Sequence, residues 1–177
     1  MRKTLILRLK LWREFVPTFK TTTESCALAA RDSGAERKKH ICGALFDVEI
    51  AEELPAYMGL VFEEICKQYL LEQAKKNALP FLPGKIGRWW GSNPYKKRQE
   101  EIDIVTYRKD SALLCECKWT NTPMDIDVLT ALTEKAGLFP YKKMWLWLFA
   151  KTGFTDRLTH EAKKRGNVRL VRFEDMF

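Results

Sequence analysis

The chain has 177 residues, 46% hydrophobic and 31% charged, which is the make-up of a folded globular protein and excludes a disordered one. Its net charge of +8 permits an acidic partner such as nucleic acid without identifying one. No apolar run approaches the ~20 residues of a membrane helix, and Arg8 and Lys10 interrupt the apolar start, so the expectation is a cytoplasmic protein with no membrane partner.

The charge is uneven: residues 1–55 carry +2 and residues 56–177 carry +6. Five cysteines, with no C-x-x-C pair, and only two histidines (His40 and His160) argue against a structural zinc site. Cys66, Cys115 and Cys117 stand among apolar residues and read as small buried hydrophobes.

In chain order, residues 1–55 follow no single pattern. Residues 1–19 place Leu5, Leu9, Trp12 and Phe15 on one side of a helix that Pro17 breaks, and residues 44–50 alternate partly, as a strand does. The expectation for 1–55 is an appendage or the remnant of an upstream module. Residues 56–177 read as the main domain. Residues 56–77 predict an amphipathic helix with Met58, Val61, Phe62, Ile65 and Tyr69 as its apolar stripe, ended by Asn77 and Pro80. A strand over 84–91 follows, then a turn and a basic run, a strand over 99–108, a tight hairpin at 108–110 and a strand over 111–119. A helix over 124–136 stopped by Gly137, a buried strand over 144–150, a helix from the Thr155–Asp156 cap to Lys164, and a strand over 168–171 complete the chain. This order implies an α/β fold: an αβββαβ core with a mixed central sheet flanked by helices.

The chemistry is concentrated in Asp103 and in Glu116 and Lys118. Side chains alternate along a strand, so Glu116 and Lys118 share one face while Cys115 and Cys117 take the other with Leu113. With Asp103 on the neighbouring strand, two carboxylates and one cation surround a point, which suits metal-assisted phosphodiester hydrolysis. A cross-strand salt bridge is the plainer reading of the same residues. Arg88, Lys96, Lys97 and Arg98 suit phosphate contacts or merely a solvated turn. Of Trp89 and Trp90, one belongs to the core; Trp90 is the candidate for stacking on unpaired bases. Trp119 packs the end of its strand. His40 and His160 receive no role.

The element order with Asp103, Glu116 and Lys118 resembles the PD-(D/E)xK nuclease superfamily, with its restriction-endonuclease-like core; Ile102 stands where the motif proline would be. The stretch from Gly59 to Glu63 resembles the helix-borne glutamate motif of its resolvase-like members, and Glu64 points about 100° further round. A closer resemblance covers residues 55–177. The stretches Tyr57–Tyr69, Gly87–Gly91, Glu101–Val105 and Glu116–Trp119 are similar, in order, to the C-terminal domain of unknown function of archaeal P-loop ATPases. The phosphate loop G-x-x-x-x-G-K-[ST] is missing from these 177 residues, which points to a detached C-terminal part and a separate ATPase partner.

The resemblance implies a Mg²⁺-dependent DNA endonuclease. Asp103 and Glu116, with a backbone carbonyl near Cys117, would hold Mg²⁺ or Mn²⁺; Glu63 would bind a metal water or a second ion; Lys118 would orient the attacking water or offset transition-state charge. DNA is the implied substrate, and a homodimer would cut both strands. The alternative is a catalytically inactive DNA-binding or protein-docking domain that serves an ATPase. A third class is a structural interaction module built on the apolar N-terminal segment.

Overall fold

The computed structural model describes residues 51–177; the readings made for residues 1–50, including Cys26, Cys42 and His40, lie outside the described residues. Helix α1 spans Ala51–Lys75 and therefore begins before Pro55. A proline near a helix start is tolerated because it removes few intrahelical bonds there. Asn77 ends the helix in the left-handed conformation (φ 54°). Its N–H donates to the Ala74 carbonyl and that of Ala78 to Gln73, a Schellman closure that occupies the last free carbonyls.

Strands β1 (Ile86–Asn93), β2 (Arg98–Arg108) and β3 (Ser111–Lys118) form an antiparallel meander. Lys109, with φ 52°, makes the tight turn between β2 and β3. Helix α2 (Ile126–Ala136) carries the chain to β4 (Lys143–Ala150), which lies parallel to β3, and helix α3 (Asp156–Arg165) carries it to β5 (Val168–Arg172), parallel to β4. The result is a five-stranded mixed sheet in the order β1-β2-β3-β4-β5, flanked by helices, as the element order implies. A 3-10 turn over Phe173–Met176 follows β5 and has no counterpart in the sequence reading. Gly137 caps α2 in the right-handed conformation (φ −62°), so the chain leaves that helix without the left-handed step usual for a terminal glycine. Thr155 caps α3 by accepting the Leu158 N–H, and Gly166 ends it with φ 69°. Among the described residues no helix is long and apolar enough to cross a membrane.

Two apolar cores lie within the compact unit Pro55–Phe177. One joins Ala112 and Leu114 of β3 to Leu129 and Leu132 of α2 and Leu158 of α3. The other joins Leu113, Cys115 and Cys117 of β3 to Phe62, Cys66 and Leu70 of α1. The fully buried line of α1 is thus Phe62, Cys66 and Leu70, while Met58, Val61, Ile65 and Tyr69 are half-buried beside it. The predicted stripe is rotated by part of a turn because a cysteine and a leucine, rather than Ile65 and Tyr69, meet the flat centre of the sheet. Each fully buried side chain of this kind contributes about 1.5–3 kcal/mol. Trp119 packs on Phe62 and Phe173, with ring centroids 5.1 and 5.4 Å away, as its position after the strand suggests.

Candidate functional site

The alternation on β3 divides its side chains between the two cores. Ala112 and Leu114 face α2 and α3, Leu113, Cys115 and Cys117 face α1, and so Glu116 and Lys118 lie on the α2 side. The partner strand is irregular where it matters. Between the pairs Gly87–Val105 and Trp89–Ile102, β1 has one residue, Arg88, and β2 has two, Asp103 and Ile104. This extra residue is a β-bulge, and Ile102 and Val105, three apart, consequently join the same core.

On its other side β2 pairs with β3 up to Ile104–Cys115, so one further step sets Asp103 beside Glu116. There the side chain of Asp103 takes over from the ladder: its Oδ2 accepts the Cys117 N–H at 2.7 Å. Burial, and then the neighbouring Glu116 charge, raise the Asp103 carboxyl to about 6, against the opposing Cys117 amide bond and the charges of Lys118 and Lys135.

Glu116 is buried, and a cation meets each of its oxygens. Lys118 Nζ donates to Oε1 at 2.8 Å and Lys135 Nζ, from α2, donates to Oε2 at 3.2 Å. For Lys118, burial acts to lower its pKa, but the Glu116 charge and hydrogen bond and the Asp103 charge prevail and raise it. Lys135 also donates to the Glu101 main-chain carbonyl at 2.7 Å. The side chain of Glu101 turns to Arg88, 2.9 Å from a guanidinium nitrogen, and Arg88 in turn pairs with Glu63 of α1. Ion pairs therefore link Glu63, Arg88 and Glu101 in one group and Lys118, Glu116 and Lys135 in another, and the main-chain carbonyl of Glu101 ties the two through Lys135.

Asp103, Glu116 and Lys118 are thus brought together, whereas Glu63, on α1 at the other face of the sheet, pairs with Arg88 instead. Among the described residues no three His, Cys, Asp or Glu side chains converge on one point as a metal cage. Two hard carboxylates side by side are nonetheless a donor set that a divalent cation would satisfy, since Mg²⁺ needs only one or two carboxylates and keeps its waters.

The basic residues named for DNA divide. Lys96 pairs with Glu134 and Arg98 with the buried Glu100, whereas Lys97 stands exposed in the β1–β2 turn with φ 50°. Trp89 packs on Phe139 as core, and Trp90 is 65% exposed with the Arg88 guanidinium 5.8 Å from its ring centre. Lys135 and Glu101 were missed by sequence reasoning. The signal for Lys135 was present: it lies three residues after the buried Leu132, on the core-facing line of α2, where a lysine needs a partner.

A family described as archaea bacterial proteins of unknown function, DUF234, matches residues 36–135. An uncharacterized protein of Methanocaldococcus jannaschii is 34% identical over 140 residues, which cover 74% of this chain and 28% of that protein; the chain thus spans little more than a quarter of its relative's length. Among solved structures, a protein of unknown function, AF1548, is 18% identical with a TM-score of 0.38, covering 62% of this chain and 58% of its own. The MspJI restriction endonuclease, in complex with a 27-mer oligonucleotide, is 9% identical with a TM-score of 0.42, covering 82% of this chain and 31% of its own.

Proposed function

Starting from a chain that belongs to DUF234, a family of archaeal and bacterial proteins of unknown function, we propose that residues 56–177 are a metal-dependent phosphodiesterase domain that cuts DNA. The observation that supports this reading is the pairing of Asp103 with Glu116 where the β2–β3 ladder ends, with Lys118 bonded to Glu116. Asp103, Glu116 and the main-chain carbonyl of Cys117 would hold Mg²⁺ or Mn²⁺. When bound, such an ion supplies an activated water and offsets charge on the phosphate.

The chain's own residues do the rest. The Cys117 N–H aims the Asp103 carboxylate. Lys118, two-fifths exposed, reaches the position of a phosphate oxygen or the attacking water. Glu63, held by Arg88, would act on a metal-bound water or a second ion only once released from that arginine. Trp90 and Lys97, exposed on β1 and its turn, would meet a base and a phosphate of the substrate, and Arg88, Lys96 and Arg98 would be further phosphate contacts. A homodimer and a separate P-loop ATPase partner complete the proposal, the second resting on the sequence resemblance.

A second reading has its own support. Both oxygens of Glu116 already meet lysines and Glu63 already meets arginine, so the carboxylates are balanced without a metal. That arrangement suits a non-catalytic DNA-binding or docking domain. Cleavage of supercoiled plasmid and of a four-way junction with Mg²⁺ or Mn²⁺, compared with Asp103→Asn and Lys118→Met, separates the two. Metal-dependent cutting lost in both variants supports the nuclease. DNA binding retained in all three proteins without cutting, and no heat of Mg²⁺ binding, supports the second reading.

A further inference from the structure

Two lysines share the carboxylate of Glu116, and they are held differently. Lys118 comes from the same strand, two residues on, and its side chain is 42% exposed. Lys135 comes from the last turn of α2, its side chain is 16% exposed, and its ammonium is also tied to the Glu101 carbonyl at 2.7 Å. A divalent cation arriving at Glu116 repels both ammonium groups beside it, and the lysine that is less firmly held gives way first. Removing Lys135 would strand a half-buried ammonium and orphan the Glu101 carbonyl, whereas Lys118 can turn into solvent at small cost.

We propose that Lys135 is the positioning residue of this site, fixing Glu116 from α2 while a bound divalent cation displaces Lys118 toward the phosphate of the substrate. This rests on the phosphodiesterase reading for the fate of Lys118, but the division of labour between the two lysines is a property of the free protein. Glu101 and Lys135 together form a brace: the carbonyl of Glu101 fixes the ammonium, the ammonium fixes Oε2 of Glu116, and Oε1 is left to exchange one cation for another. The brace also ties the bulged end of β2 to β3 through α2, so the spacing between Asp103 and Glu116 is set by three elements rather than two.

The test is lysine-selective ¹⁵N NMR of the ammonium groups in the full chain, with Mg²⁺ alone as the probe. The signal assigned by its loss in Lys135→Arg is expected to be visible and slowly exchanging without metal, to persist at saturating Mg²⁺, and to broaden away in Glu116→Gln. The Lys118 signal, assigned by Lys118→Arg, is expected to move toward that of a free lysine as Mg²⁺ is added. In the cleavage assay Lys135→Met is expected to lower kcat by about tenfold to a hundredfold with KM for DNA little changed, and Lys135→Arg to restore part of it. Lys118 keeping its bonded signal in Mg²⁺ while Lys135 loses it overturns the proposal, as does a Lys135 signal indifferent to Glu116→Gln. Absence of cleavage with the NMR pattern intact overturns the phosphodiesterase reading and leaves the brace standing; a flat Mg²⁺ titration of both signals overturns the exchange.

Discussion

The carboxylate of Asp103 accepts the main-chain N–H of Cys117 at 2.7 Å, one step beyond the last regular pair of the β2–β3 ladder. A side chain thereby closes a gap that the bulge in β2 opens, and the same bond sets Asp103 beside Glu116. A half-buried and a buried carboxylate so placed repel each other, and the consequences are measurable.

Glu116 stands at the centre of that arrangement, so its replacement is the most direct trial of the site. Glu116→Gln is expected to reduce Mg²⁺ binding below detection by calorimetry and to lower cleavage by on the order of 10²–10³-fold. It also releases both lysines from a buried carboxylate, so the melting temperature is to be followed alongside. Full Mg²⁺ affinity in this variant would remove Glu116 from the site.

The raised carboxyl of Asp103 makes stability depend on pH in a stated direction. Its value of about 6 in the folded chain exceeds its ordinary value of 3.8, so the folded state binds the proton more tightly. That contribution is whole below about pH 4 and is lost as pH rises through about 6, up to about 3 kcal/mol. Asp103→Asn has no such charge to bury. In urea unfolding with chelator present, the variant should gain on the wild type between pH 4 and 6.5 and exceed it above. A difference that does not change with pH would mean that the Asp103 charge is solvated.

Arg88 holds two acids, Glu63 and Glu101, and both Arg88 and Glu63 are largely covered. Arg88→Met is expected to cost about 1–3 kcal/mol by leaving the Glu63 carboxylate without its partner. The double change Glu63→Gln with Arg88→Met should recover part of that loss, because the pair is removed together. Denaturation midpoints of Arg88→Met, Glu63→Gln and the double variant check this, and additive losses would show that the pair is not coupled.

Trp90 and Lys97 are the exposed candidates for the nucleic acid, and they should behave differently. Trp90→Ala is expected to weaken single-stranded DNA binding by about 1–3 kcal/mol while leaving its salt dependence unchanged. Lys97→Ala should reduce the slope of log affinity against log salt by about one, and weaken all sequences alike. Fluorescence anisotropy at several salt concentrations reads both, and equal losses from the two changes would argue against stacking by Trp90.

Much of the architecture is legible in the sequence because its causes are local. The alternation around Cys115 and Cys117 places Glu116 and Lys118 on one face, the Thr155 and Gly166 caps bound α3, and the tight turn at 108–110 joins β2 to β3 as a hairpin. The rotation of the buried line on α1 to Phe62, Cys66 and Leu70 is not local, since an amphipathic pattern states that a helix has an inner side but not which residue meets the middle of the sheet. Nor is the partnership of charges local. Lys135 lies 19 residues from Glu116, and Arg88 lies 25 from Glu63. The sequence alone determined which acids and bases are present and which of them share a strand. Only the tertiary structure decided that Glu116 meets two lysines, that Glu63 meets Arg88, and that a bulge sets Asp103 at the end of the ladder, because register and helix docking bring together groups that no spacing along the chain relates.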